Sequence, residues 1–257
     1  MPSMANIDPE LQFNLFKGEP GTWKSSAALS YPGRQYWFSF DRKMSGIIVP
    51  FQKWGLPPDH LEYDDYSNWT DARKKLEIFQ AGCPFNTLVV DSITSMADMS
   101  LREVVKKKDG GKVIGGIKVS SVEDLNAEST AVAEMIALLK DIQAYEATKG
   151  HKMCIILIAH VIEVNYKSLT GITTKSRTIV TAASKVAAKL PAYCTEVYHF
   201  NNKGPVGQQK HSIITEHVGE DYARTSLGLP AEIDFTDKQL YKDIIQPVVM
   251  NLKGVNR

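Results

Sequence analysis

The chain has 257 residues, of which 43% are hydrophobic and 23% are charged, and its formal net charge is +1. This length and composition predict one sizeable folded domain. The near-zero net charge excludes nucleic-acid binding driven by overall charge, so any such binding requires a local basic patch.

The cysteines and the amino terminus bear on the cellular setting. Cys83, Cys154 and Cys194 form no CxxC pair, an arrangement that favours a reducing compartment. The first residues lack a signal-peptide pattern, and no apolar run reaches membrane-spanning length. We therefore expect a cytoplasmic protein without membrane association. We predict a flexible leader at residues 1–10 and a single domain at residues 11–257.

Strands and helices alternate along the chain. The predicted strands are short apolar or aromatic runs at residues 13–16, 35–40, 61–66, 86–93, 153–159, 196–201 and 211–216. The predicted helices begin at residue 24 and then cover residues 69–80, 95–105, 123–148, 182–190 and 237–252. Polar or glycine-rich segments at 106–116 and 161–181 are predicted to be loops. This alternation predicts an α/β fold with a mostly parallel, doubly wound sheet and an antiparallel margin at the C-terminal end.

The stretch at residues 13–30 is typical of a phosphate-binding loop. A short apolar strand is followed by a Gly-Pro-Gly loop and then by a helix that begins Lys-Ser-Ser. Such a loop needs glycines so that backbone N–H groups turn toward phosphate oxygens, a lysine for the β- and γ-phosphates, and a hydroxyl for Mg²⁺. The positive end of the helix dipole adds to this anion site. The residues predicted to contact the nucleotide are Gly18, Glu19, Pro20, Gly21, Thr22, Trp23, Lys24, Ser25 and Ser26.

The loop departs from the pattern G-x-x-x-x-G-K-[ST] at one position, because Trp23 precedes Lys24 where the pattern has glycine. If the backbone adopts a positive φ there, a bulky side chain costs about 1–2 kcal/mol and could distort the loop. The alternative is a Gly-Pro turn between a strand and a helix, with a lysine of no special role.

Parallel sheets bind ligands beyond the carboxyl ends of their strands, which draws attention to three further side chains. Asp91 ends an apolar strand and is predicted to bind Mg²⁺, although it could instead cap the next helix. Asp41 ends the second strand and could orient or deprotonate an attacking water, or pair with Arg42 or Lys43. His160 follows the fourth strand, where it could sense the γ-phosphate or be a structural histidine.

These parts, in this order, resemble the RecA-like ATPases. They are most similar to short phage nucleotide-binding proteins of the AAA/RecA-like type, which include Sak-type single-strand annealing proteins. The motifs that carry the resemblance are GEPGTWKSS (18–26), YWFSFD (36–41), TLVVDSITS (87–95) and CIILIAH (154–160). The resemblance covers residues 13–201 as an ordered set.

The resemblance implies a P-loop NTPase with a RecA-like core that binds ATP and Mg²⁺. In this arrangement Lys24, Asp41, Asp91 and His160 take catalytic positions, and Ser25 and Asp91 hold the metal. Trp23 departs from the glycine of the family and puts the rate of hydrolysis in question.

The resemblance also implies single-stranded DNA as a partner, because the segments after the third and fourth strands face DNA in RecA-like proteins. The basic residues of these segments are Lys106, Lys107, Lys108, Lys112, Lys167, Lys175 and Arg177. Such residues suit phosphate contacts, although solvated loops are the alternative. A homo-oligomer and a single-strand binding or other replication or recombination protein are further partners that the resemblance suggests.

Three functions remain open from the sequence. The leading hypothesis is an Mg²⁺-dependent ATPase that acts with single-stranded DNA in phage recombination or replication. The second is a nucleotide-binding module with little turnover that regulates a partner protein. The third, a small-molecule kinase, is disfavoured because no arginine-rich lid is evident and only Arg224 is placed to contact phosphate. A zinc site is also disfavoured, because the spacing of its candidate ligands fits no tight chelate: Cys194, His199, His211 and His217.

Overall fold

The computed structural model describes residues 8–107, 113–114, 117–167, 173–179, 184–205, 208–217 and 222–255. The strands in these residues are β1 (Phe13–Gly18), β2 (Gln35–Ser39), β3 (Leu61–Asp65), β4 (Thr87–Asp91), β5 (Val113–Ile114), β6 (Ile117–Lys118), β7 (Cys154–Lys167), β8 (Thr173–Ile179), β9 (Glu196–Lys203), β10 (Lys210–Ile214) and β11 (Glu232–Asp234). The α-helices are α1 (Lys24–Leu29), α2 (Ile48–Lys53), α3 (Trp69–Ala81), α4 (Ile93–Lys107), α5 (Val122–Thr148), α6 (Ser184–Lys189) and α7 (Gln246–Val255).

One large sheet organises the chain, with its strands in the order β11-β10-β9-β1-β7-β4-β2-β3. β1 is parallel to both of its neighbours, β7 and β9, and the parallel pairing continues through β4, β2 and β3. The pairs β9–β10 and β10–β11 are antiparallel. This order confirms the predicted α/β fold, with a mostly parallel centre and an antiparallel C-terminal margin.

The parallel register brings the ends of the central strands to one edge of the sheet. Gly18, at the end of β1, pairs with His160 on β7. Asp91, at the end of β4, pairs with Ser39 on β2, and Asp41 follows two residues later. The predicted phosphate-binding loop, which follows Gly18, therefore lies at the same edge of the sheet as the predicted carboxylates, Asp41 and Asp91.

Helices cover both faces of the sheet. On one face, α3, α4 and α5 bury side chains such as Leu76, Met96 and Leu139. On the other face, α1 and the C-terminal helical segment bury Leu29 and Ile245. That C-terminal segment was predicted as one helix, but it begins with a π-helical stretch, Leu240–Ile245, before α7.

Two segments that were predicted to be loops are partly regular. The fourth strand does not stop before His160, since β7 continues to Lys167 and pairs in antiparallel fashion with β8. Residues 162–167 alternate apolar and polar side chains, a strand signal that the prediction overlooked, whereas β8 is almost entirely polar and lacks that signal. The helix predicted at residues 95–105 extends to Lys107, so Lys106 and Lys107 lie in its last turn and not in a loop.

The start of the described chain is tied to the sheet. Lys152, just before β7, forms ion pairs with Asp8 and Glu10 at N–O distances of 2.6 and 2.7 Å. Residues 1–7 of the predicted leader lie outside the described residues. None of the helices in the described ranges has the length and hydropathy needed to cross a lipid bilayer.

Glu196 fastens the segment after residue 222 to the sheet. Its buried carboxyl group, at the start of β9, accepts hydrogen bonds from Tyr198 Oη at 2.9 Å and from Thr225 Oγ1 at 2.7 Å. It also accepts bonds from the backbone N–H and the hydroxyl of Ser226. Arg224 bridges back to Val197 of the same strand through two backbone hydrogen bonds.

We expect Glu196→Ala to lower the free energy of unfolding by about 2–3 kcal/mol, because it leaves several buried donors without an acceptor. Glu196→Gln keeps the shape of the side chain and one acceptor oxygen, so it should lower the free energy of unfolding by less than Glu196→Ala does. Urea denaturation of both variants measures the difference. An alanine variant as stable as the unmodified protein would show that this network contributes nothing to the fold.

Candidate functional site

A glycine ends β1 where the chain turns away from the sheet. A Cβ atom at Gly18 would lie 2.6 Å from the Phe200 carbonyl oxygen and 2.9 Å from Thr22 Oγ1, so a side chain does not fit there. Gly21 has a φ of 79°, in the left-handed region that glycine adopts without steric cost. Thr22 Oγ1 donates to the Glu19 carbonyl oxygen at 2.7 Å and closes the turn. Residues 19–21, which include Pro20, are exposed and can be reached by a ligand.

The backbone of Trp23 takes the conformation expected of the missing glycine, with φ of 66° and ψ of 19°. That left-handed conformation costs a non-glycine residue about 1–2 kcal/mol. The indole ring lies outside the turn, against the ring of His211, with 4.5 Å between the centroids and 31° between the planes. Trp23 is 40% exposed. The loop therefore keeps its turn in spite of the tryptophan.

The side chain of Lys24 points into the loop. Its Nζ donates to the carbonyl oxygens of Gly18 and Glu19 at 2.9 and 2.7 Å, and it lies 3.3 Å from Thr22 Oγ1. Burial lowers the pKa of Lys24 to about 8, although the carboxylates of Asp91, Asp41 and Glu19 oppose this change. A buried ammonium held only by carbonyl dipoles lacks a full counter-charge at this position.

Ser25 and Asp91 connect the loop to the neighbouring strand ends. Ser25 Oγ donates to Asp91 Oδ2 at 2.8 Å, although the two residues come from α1 and β4. Burial raises the pKa of Asp91 to about 6, and the nearby charge of Asp41 acts in the same direction. The hydrogen bond from Ser25 lowers this pKa in part. Ser26 follows in the first turn of α1 and is half-buried.

Asp41 is held by its neighbours on two sides. Its Oδ1 accepts from Ser92 Oγ at 2.8 Å, and its Oδ2 lies 3.0 Å from His160 Nε2. Burial alone would raise the pKa of Asp41, but hydrogen bonds from His160, Ser95 and Ser92 bring it well below its ordinary value. Asp41 therefore stays charged at neutral pH.

The imidazole ring of His160 is directed at the carboxylate of Asp41. Its backbone N–H donates to Thr94 Oγ1 at 3.0 Å. Its Nδ1 is buried and has no hydrogen-bond partner among the residues that the structure describes. A buried ring nitrogen without a partner is available to a bound ligand or a water molecule.

A broad groove begins beside Asp41. It has a volume of about 640 Å³ and extends between α4 and the segment around Ser67. Its basic residues are Arg42, Lys43, Arg102 and Lys106. Arg102 pairs with Asp98, whereas no ion pair of Lys43 or Lys106 is found within the described ranges. The groove thus places Lys43 and Lys106 near the candidate catalytic carboxylate, although the acidic Asp98 and Glu103 also line it.

The other predicted DNA-contacting residues are only partly described. Lys107 forms an ion pair with Glu103 in the last turn of α4. Lys108 and Lys112 lie outside the described residues. The backbone positions of three residues on the β7–β8 hairpin are described, but their side chains are not: Lys167, Lys175 and Arg177.

Two alternatives from the sequence are wrong for the described residues. Arg224 does not face its own loop, because its guanidinium donates to the Cys194 carbonyl at the opposite end of β9. Neither Arg42 nor Lys43 forms an ion pair with Asp41, whose described ionic partner is His160. No cluster of three potential metal-binding side chains, and so no zinc site, is found in the part of the chain that the structure describes.

The sequence reasoning missed a contact between the loop and the β9–β10 hairpin. Asn202 Nδ2 donates to the Gly21 carbonyl oxygen at 3.0 Å, and Asn202 Oδ1 lies 2.8 Å from His211 Nδ1. Asn202 and His211 are directly opposite in the antiparallel register. The sequence predicted that these two strands form a hairpin. It did not give their exact register, which is what places Asn202 opposite His211. The roles of Ser92 and Ser95 at Asp41 were also missed.

We expect Asp91→Asn to stabilise the ligand-free protein at pH 7.5 by about 1–2 kcal/mol, because it removes a charge that burial disfavours and keeps an acceptor for Ser25. The folded pKa of about 6 exceeds the ordinary 3.8. The wild-type protein therefore loses stability, relative to the variant, as the pH rises from about 4 to about 6, and the loss is complete above that range. Below the ordinary pKa the aspartate is protonated in both states, and the gain should vanish by about pH 4.

Denaturation curves of both proteins at the two pH values measure this difference. Asp141→Asn, at an exposed position on α5, is the matched control. A gain that does not depend on pH, or a less stable Asp91→Asn variant, would contradict the electrostatic origin.

Comparison with known proteins shows the family. The sequence matches a family described as AAA domain over residues 15–226. No curated protein matches the chain. Among solved structures, the flagellar accessory protein FlaH from Methanocaldococcus jannaschii aligns with a TM-score of 0.47 and 13% sequence identity, over 89% of this chain and 86% of that chain. Since the family match spans most of the sequence and includes the loop, Asp41, Asp91 and His160, the chain belongs to the AAA domain family.

Proposed function

We propose that this protein binds ATP with Mg²⁺ and hydrolyses it, and that hydrolysis is coupled to single-stranded DNA in phage-type recombination or replication. The observation that carries the proposal is the 2.8 Å hydrogen bond from Ser25 to Asp91, which joins the loop to a strand-end carboxylate. The buried Lys24 beside it supplies a positive charge for a phosphate. Membership of the AAA domain family supports nucleotide binding.

Ser25 and Asp91 are the residues that would hold Mg²⁺. Both offer oxygen atoms, which this ion prefers, and Mg²⁺ usually takes its other ligands from water and substrate phosphates. A site of this kind does not need a cluster of three His, Cys, Asp or Glu side chains, and no such cluster is found among the described residues. When bound, the ion would neutralise charge on the β- and γ-phosphates.

The other residues have separate tasks in this proposal. Lys24 exchanges the carbonyl oxygens of Gly18 and Glu19 for phosphate oxygens. Asp41 is charged and fixed, so it orients a water by accepting its hydrogen bond. Phosphoryl transfer depends more on positioning and charge stabilisation than on removal of a proton, so a weakly basic carboxylate suffices. His160 holds Asp41 in position through its Nε2.

The groove beside Asp41 supports the link to DNA. Phosphates of a single strand would find Arg42, Lys43 and Lys106 along it, within the same groove as the candidate catalytic carboxylate. A strand bound there would contact the residue that follows Asp41. Such a contact gives DNA a direct way to alter the position of Asp41 and the rate of hydrolysis.

A second candidate function is a nucleotide-binding module with little turnover that regulates a partner. It is favoured by one observation: both carboxylate oxygens of Asp41 are already engaged, by Ser92 and by His160, which leaves less capacity to bind an attacking water. The two functions differ in the fate of bound ATP. Intact ATP recovered after prolonged incubation supports the module, and released phosphate supports the ATPase.

We expect Lys24→Ala to lower the rate of ATP hydrolysis by at least about 100-fold, because it removes a preorganised positive charge from the transferring phosphate. Phosphate release under saturating Mg-ATP measures this rate. Lys74→Ala, which removes an exposed lysine on α3, is the matched control and should retain full activity. Equal activity in the two variants would contradict the proposed site.

We expect Lys106→Ala to weaken binding of an oligo-dT strand and to reduce its salt dependence. Each lost phosphate contact lowers the slope of log affinity against log salt by about 0.7 for single strands. Fluorescence anisotropy at several salt concentrations measures this slope. The control is Lys152→Ala. Lys152 lies just before the first residue of β7, at the other edge of the sheet from the groove, so this variant should leave the slope unchanged. An unaltered slope in Lys106→Ala would exclude DNA from the groove.

A further inference from the structure

A cavity of about 210 Å³ opens next to Trp23 and is separate from the groove beside Asp41. Its walls include Pro50 and Trp54 of the α2 region, His211 of β10 and Phe235 just after β11. Aromatic rings and a proline give flat apolar walls, and most of the remaining lining is polar or charged: Lys53, Gln209, Thr236, Asp237 and Lys238. Such walls suit a planar ring system that stacks.

Trp23 joins this cavity to the phosphate loop. Its backbone belongs to the loop, and its ring lines the cavity. His211 covers part of the ring, and the remainder is exposed, since Trp23 keeps 40% of its surface accessible. An indole that is fixed on one side and open on the other can stack on a ligand without a loss of its own freedom.

A chain of contacts holds the indole in place. The Asn202 amide donates to the Gly21 carbonyl oxygen, so its Oδ1 accepts from His211 Nδ1. The proton on Nδ1 fixes the orientation of the imidazole ring that stacks on Trp23. Burial lowers the pKa of His211, against the effect of Asp234 and Asp237, and so keeps the ring neutral. Gly21 and Trp23 are thus held by the same hairpin.

We propose that Trp23 selects the base of the bound nucleotide: a purine stacks on the exposed part of its indole, in the cavity closed by Trp54 and Phe235. This inference rests on the proposed binding of a nucleoside triphosphate by the loop. The tryptophan at the glycine position then serves recognition, and Asn202 and His211 act as positioning residues. A purine is favoured over a pyrimidine because its two fused rings cover more of the indole.

The test compares Mg²⁺ complexes of ATP, CTP and inorganic triphosphate by isothermal titration calorimetry. In the unmodified protein, ATP should bind more tightly than either of the others. Trp23→Gly should lower the affinity for ATP about 10-fold, the size of one lost base–aromatic stack, and leave the affinity for inorganic triphosphate unchanged or higher. Trp23→Phe, which keeps a ring, should retain most of the preference for ATP.

Trp23→Gly should fold, because glycine takes the left-handed conformation without strain. Trp69→Phe, at the start of α3, is the control for the loss of a tryptophan elsewhere and should bind ATP normally. His211→Ala should reduce the preference for ATP over inorganic triphosphate, because it removes the support of the indole.

The outcomes separate this inference from the proposed function. If the unmodified protein binds inorganic triphosphate and Lys24→Ala abolishes that binding, the loop is a phosphate site. Unchanged or tighter ATP binding by Trp23→Gly in that case overturns the role of Trp23 and leaves the proposed function intact. Binding of neither ATP nor inorganic triphosphate by the unmodified protein overturns both.

Discussion

The hydrogen bond between Ser25 and Asp91 is the contact on which the account of this site depends. Its two residues are 66 positions apart in sequence. Ser25 lies on α1, which follows β1, and β1 is separated from β4 in the sheet by β7. The contact forms because the parallel register brings β1 and β4 to the same edge, and because Gly18 lets the chain turn tightly against Phe200. A shift of one residue in β4 would turn Asp91 to the other face of the sheet, away from Ser25.

Two carboxylates at this edge have opposite electrostatic environments. Hydrogen bonds from His160, Ser95 and Ser92 stabilise the charged form of Asp41 and keep its pKa low. Asp91 is more deeply buried, and burial together with the charge of Asp41 raises its pKa in spite of the hydrogen bond from Ser25. In the ligand-free protein the charge of Asp91 opposes folding, and a divalent cation would offset that charge. Opposite pKa shifts on neighbouring carboxylates are typical of functional sites.

The sequence predicted the elements with strong local signals and missed those that depend on register. Buried apolar runs marked β1 and β4, and the residues that end them marked the site. The sequence raised a positive φ at Trp23 only as a condition, and the structure has that left-handed backbone. By contrast, β8 is almost entirely polar, the alternation at residues 162–167 was overlooked, and the link from Asn202 to His211 requires the exact antiparallel pairing. The groove beside Asp41 arises from tertiary packing alone.

The measurement that tests the central claim most directly is a crystal structure with Mg²⁺ and a non-hydrolysable ATP analogue. Our account predicts that Lys24 Nζ leaves the carbonyl oxygens of Gly18 and Glu19 for phosphate oxygens, and that the metal lies beside Ser25 Oγ and Asp91. A structure in which the analogue binds elsewhere, while Lys24 keeps both carbonyl contacts, would contradict the account.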